Sequence, residues 1–181
     1  MKCMTFFALV FLPSVVLTSR HWQEEGHTVI RECLVTFSIV NAGIDVTGSI
    51  DSVSVTSNLD LDNLAQSTIV ASADPTTIRT GIAIRDRHLV RSDYFDVATY
   101  PTIQIRSTAL RRTGQRSFVG QFDLTIKGIT RSVTIPFTLK RERGMTHYSG
   151  SFTINRLDFS LGEESFVLGD TVIIHIRVTA G

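Results

Sequence analysis

The chain has 181 residues, with 18 basic against 17 acidic side chains, 43% hydrophobic residues, 12 Gly and only 4 Pro. That describes one folding unit large enough for a core and excludes a disordered or collagen-like chain. A net charge of +1 argues against nucleic acid as a partner, because proteins that track a phosphate backbone need a basic stripe to release counterions.

The first nineteen residues carry Lys2 and then a mostly apolar run from Cys3 to Leu17, closing on Thr18-Ser19. A spanning helix needs about 20 apolar residues, so residues 1–19 read as a secretory signal peptide cut near Ser19, with a short uncleaved anchor as the alternative. Cleavage there leaves residues 20–181 as a single domain without a stable membrane span, in which 17 basic side chains balance 17 acidic ones. The expected location is the periplasm or the extracellular space. Cys33 then stands alone, which excludes a disulfide scaffold.

The 22 Thr, 17 Val and 17 Ile make up just under a third of the chain and favour strands. Alternation begins with Val35, Phe37 and Ile39, then Ile44, Val46 and Ile50, with Gly43 read as a turn and Gly48 as a bend or bulge. Val53 and Val55 continue the pattern. From Thr80 to Tyr94 the alternation stops, and the spacing of Ile82, Arg85 or Asp86, and Leu89 predicts a short helix and loop ending before Tyr100-Pro101.

Period two returns at Ile103 and Ile105, then at Phe118, Gly120, Phe122, Leu124 and Ile126. Lys127-Gly128 signals a hairpin, and Val133, Ile135, Phe137 and Leu139 supply its return. Tyr148, Gly150, Phe152 and Ile154 follow, then Val172, Ile174, Ile176 and Val178. Arg156 and Asp158 are read on one strand face as part of a cross-strand ion pair. Strands with one apolar face indicate an antiparallel sheet that buries that face by closing on itself or by pairing with a second sheet. The long neighbouring strands favour closure, giving an all-β, antiparallel, eight-stranded barrel with a short helical insertion around residues 80–94. Such a barrel is either filled by side chains or open to one small ligand, and the pattern does not choose between them.

In Thr80-Gly81, Arg85-Asp86-Arg87-His88-Leu89, Ser92 to Val97, Tyr100-Pro101, Gly120 to Thr130, Arg156-Leu157-Asp158-Phe159 and the final Asp170-to-Val178 strand, the chain resembles the YceI-like family of polyisoprenoid-binding proteins. The resemblance runs from about residue 27 to the end. It implies an exported, lipocalin-like barrel that sequesters or carries a polyisoprenoid, such as a prenyl quinone, alcohol or phosphate, or a similar amphiphile with an isoprenoid or fatty-acyl chain. Two positions depart from the family pattern: Val40-Asn41 stand where members commonly carry a His, and Ser160 where they carry a Gly.

The expected cavity wall is Phe37, Ile39, Ile44, Val46, Phe118, Phe122, Leu124, Ile126, Val133, Ile135, Phe137, Phe152, Ile154, Ile174 and Ile176. Arg85 and His88 are the head-group candidates, a planar donor fork and an imidazole; their structural alternative is an Arg–Asp pair and a histidine bond to backbone. No catalytic, cofactor or metal site is expected beyond a possible bound isoprenoid quinone, since the chain has no Gly-x-Ser-x-Gly, His-Glu-x-x-His, Cys-x-x-Cys or glycine-rich phosphate loop. Two readings compete with the carrier: an enzyme acting on a lipid head group, with His88 as acid or base and Asp86 orienting it, and a filled barrel that engages another envelope protein. A homodimer is compatible with all three.

Overall fold

A computed structural model describes residues 29–181; the expected signal peptide lies outside the described residues. Ten strands alternate along the chain with one helix: β1 Ile30–Asn41, β2 Ile44–Ile50, β3 Val53–Ser57, β4 Ile69–Ala73, β5 Ile78–Arg79, α1 Ala83–Leu89, β6 Ile103–Arg112, β7 Ser117–Ile126, β8 Ile129–Glu142, β9 Met145–Asn155 and β10 Leu168–Ala180. They form one sheet in the order β3-β4-β6-β7-β8-β9-β10-β1-β2-β5.

Only Asp51 and Ser52 separate β2 from β3, so the two are halves of one bent strand. The first half pairs with β1 and the second with β4, which joins the two ends of the sheet and curls it into a barrel. Counted this way the sheet has the eight staves expected. The additional strands arise from the break at Asp51-Ser52 and from the two-residue β5, which lies against Ser49 and Ile50.

Three of the hairpins share one device. Ala42-Gly43, Lys127-Gly128 and Arg143-Gly144 are two-residue loops with positive φ at both positions, the mirror-image turn whose twist matches that of the flanking strands. Gly48, expected as a bend or bulge, instead sits in unbroken register opposite Phe37, where its missing side chain makes room for the ring. The bulges lie elsewhere, at Ser107/Ala109 and near both ends of the β1–β10 pairing.

The helix covers Ala83–Leu89 alone, and the rest of the non-alternating interval is turns. A second departure is at Arg156 and Asp158, which are in a 3₁₀ turn, Arg156–Phe159, and not on a strand face. Asn155 begins that turn by accepting the Leu157 amide at 2.9 Å. Arg156 is buried inside it and Asp158 is exposed, so they share no face.

Candidate functional site

The barrel encloses a cavity of about 970 Å³, a size that suits a ligand of small-molecule dimensions. The interior is therefore hollow. Inward-facing positions of every stave supply the wall, and of the fifteen residues expected there the structure places twelve: Phe37, Ile39, Val46, Phe122, Leu124, Ile126, Ile135, Phe137, Phe152, Ile154, Ile174 and Ile176.

Ile44, Phe118 and Val133 are elsewhere. Ile44 follows the β1–β2 turn at the rim and is 69% exposed. Phe118 is buried in a separate cluster with Phe137 and Leu139, stacked on Phe137 at 5.3 Å between centroids. Leu61 and Leu64 pack against this cluster from the loop between β3 and β4, and the Arg112 guanidinium lies 5.0 Å from the Phe118 ring while donating to the Leu61 carbonyl at 3.0 Å. Val133 packs against the cluster that contains Phe159 and Leu161. Period two identifies the face of a strand; the level along the barrel decides whether that face meets space or side chains.

The wall also contains Cys33, Val35, Val53, Val55, Ile69, Ile103, Ile105, Tyr148, Val172 and Val178, most of which the same alternation marks. Ile69, on a five-residue strand without alternating burial, carries no such mark. By area the wall is mostly apolar, although Asn41, Ser57, Ser72, Gln104 and Ser149 also reach it. Burial pushes the Cys33 thiol and the Tyr148 phenol above their ordinary pKa values, with nearby Arg141 opposing the shift of Tyr148 slightly.

Arg85 and His88 both line the cavity, from α1, and Arg87 and Arg91 do so beside them. The expected Arg–Asp pair is indirect. Arg85 donates from Nε to the Thr80 hydroxyl and from a terminal nitrogen to the Thr80 carbonyl, each at 2.7 Å, and the Thr80 hydroxyl and amide donate to Asp86. Thr80 thus fixes the first turn of α1, whose N-cap residue Ile82 has no capping side chain. His88 does not meet Asp86 or backbone as expected; its Nε2 lies 3.0 Å from Asp93, and its ring meets Tyr94 edge to face at 5.0 Å. The pair is about half-exposed.

Arg156 also reaches the cavity wall, yet its donors are committed to structure. Nε donates to the Gly169 carbonyl at 3.0 Å, one terminal nitrogen to Leu161 at 2.9 Å, and the other to Leu168 at 3.4 Å and to the Asp170 carboxylate at 2.8 Å. No spacing in the sequence points to that partner, fourteen residues away across a loop.

The arrangement can therefore exclude water from an apolar chain while guanidinium and imidazole groups remain at one opening. A YceI-like domain model matches residues 25–180. The chain is 28% identical over 134 residues to the protein YceI of Escherichia coli O157:H7, covering 73% of this chain and 68% of that one. It is 33% identical over 88 residues to a UPF0312 protein of Pseudomonas savastanoi pv. phaseolicola, spanning 45% of this chain and just under half, 46%, of that relative. Among solved structures it superposes on BcnA of Burkholderia cenocepacia with a TM-score of 0.78 at 23% identity, covering 82% of this chain and 96% of BcnA. It also superposes on a polyisoprenoid-binding domain from Saccharophagus degradans implicated in plant cell wall breakdown, with a TM-score of 0.66 at 15% identity, covering 85% and 96%. With the family pattern matched across nearly all the described residues, and the same fold in these neighbours, the chain belongs to the YceI-like domain family.

Proposed function

We propose that the protein is an exported carrier that takes the chain of a polyisoprenoid or similar long amphiphile into its barrel and performs no chemistry on it. The observation that carries this reading is the cavity of about 970 Å³ with a wall made mainly of Val, Ile, Leu and Phe. Removing a prenyl chain from water gains about 0.8 kcal/mol per CH₂-sized group, and several isoprene units offset the cost of ordering a flexible tail. A wall rich in unpaired polar groups would cancel that gain at about 1–3 kcal/mol each. Family membership and the polyisoprenoid-binding neighbour support the ligand class. The apolar segment from Cys3 to Leu17 supports export.

Arg85 and His88 meet the head group in this reading, with the tail directed inward. Purification from a bacterial periplasm without detergent, followed by organic extraction and mass spectrometry, tests it. A stoichiometric prenyl quinone, alcohol or phosphate is the expected result; a stable protein that is empty and takes up no prenyl lipid overturns it. Absence of turnover of the bound lipid, in wild type and His88→Ala alike, distinguishes a carrier from an enzyme.

A further inference from the structure

We propose that the rim of the cavity next to α1 docks on a bilayer that carries anionic head groups. Three segments meet at this rim. The Ala42 amide, in the β1–β2 turn, donates to the Val167 carbonyl at 2.7 Å, and the Gly162 amide of the same connection donates to the Asp93 carbonyl, just beyond α1, at 2.8 Å; Val167 and Ile84 of α1 line the cavity. Each segment exposes large apolar side chains: Val40 and Ile44 flank the turn, Ile82 and Ile84 begin the helix, and Phe166 and Val167 lie in the connection before β10. Phe166 is fully exposed and Ile84 is 71% exposed.

Six of the ten exposed large apolar residues among the described residues are on these three segments. Scattered apolar side chains are normal on a surface, but a concentration around one opening marks a place of contact. The charges select the occupant. Arg85, Arg87 and Arg91 line the same opening; Arg85 is tied through Thr80 to Asp86, whereas Arg87 and Arg91 have no ion pair among the described residues. Apolar tips beside the unpaired guanidinium groups of Arg87 and Arg91 match a surface in which acyl chains lie beneath phosphates. Glu163 and Glu164 precede Phe166 and oppose that attraction, so neutralising them strengthens docking. The docking stands without the carrier reading; its use, passing an apolar chain between bilayer and lumen without crossing water, rests on it.

Flotation with phosphatidylglycerol-containing vesicles at low ionic strength tests the proposal. Wild type floats with them and scarcely with phosphatidylcholine vesicles. Phe166→Ser together with Ile84→Ser lowers the bound fraction about tenfold or more, Arg87→Gln together with Arg91→Gln lowers it several-fold, and Glu163→Gln together with Glu164→Gln raises it. All these side chains are exposed, so unfolding temperatures remain near wild type. Phe166→Trp supplies an independent signal, a blue-shifted emission on adding vesicles. Failure of wild type to float, floating unaffected by these substitutions, or a dimer in light scattering that Phe166→Ser dissolves overturns the proposal, the last in favour of a second copy on the rim. Extraction of the same proteins keeps the two readings apart: lipid carried without flotation refutes docking alone, and flotation without any carried lipid refutes the carrier alone.

Discussion

The ring of Phe37 fills the space left by Gly48, its partner across the β1–β2 ladder. A Cβ on Gly48 would overlap that ring and fall 2.7 Å from the Arg79 carbonyl oxygen. Phe37 is also part of the cavity wall, so the ring can yield only toward the lumen. Gly48→Ala is expected to destabilise the protein by about 1–3 kcal/mol and to reduce the lipid it retains. Urea denaturation and lipid extraction measure both, and an unchanged midpoint would show that the ring has another place to go.

Ser160 ends the 3₁₀ turn with φ 53, in the left-handed region, while its carbonyl accepts the Lys127 ammonium at 3.0 Å. A side chain is strained there and glycine is not. Ser160→Gly keeps the carbonyl and is expected to stabilise by about 1 kcal/mol, seen as a raised unfolding temperature.

These two positions mark what the sequence makes legible. The β7–β8 hairpin shows itself in full, because alternation on both sides of Lys127-Gly128 sets its register, and the hollow's wall follows largely from the same alternation. The locking of α1 by Thr80 and the placement of His88 against Asp93 do not, since short turns have no period. Whether the barrel is hollow depends on how far loops such as 58–68 and the turn at Phe159 intrude, and that is a matter of volume, not of pattern.

Arg156 is the clearest such case, a buried guanidinium holding three carbonyls and Asp170 across the loop that leads into β10. Arg156→Ala leaves those oxygens without donors and is expected to cost about 2–4 kcal/mol. Arg156→Lys restores the charge but not the fork and recovers less than half of the loss. Chemical denaturation of the two variants checks the order; a Lys variant as stable as wild type would assign the effect to charge alone.

Cys33, Val178 and Tyr148 form one row across β1, β10 and β9, and all three line the lumen. Burial raises the Cys33 pKa above its ordinary value of 9.0, so the folded thiol keeps its proton where the unfolded chain has lost it. Alkylation by iodoacetamide is therefore slow at neutral pH and is still rising with pH beyond 9.0, where that of an ordinary thiol levels off. By linkage, this group makes stability fall as pH rises through the same interval. Loading the protein with a prenyl alcohol is expected to slow modification of Cys33 several-fold, followed by mass spectrometry of its peptide. Equal rates with and without lipid would place the lipid outside the lumen.

Ile30 pairs with Ala180, so the first described strand finds its neighbour only in the last. Among the described strands β1 has β2 beside it in sequence, and its other partner, β10, is separated from it by all the rest. Closure therefore carries the long loop entropy that slows such non-local pairings. The lumen has its full wall only once that pairing forms, so an apolar occupant and the β1–β10 ladder are coupled: each is worth more when the other is in place.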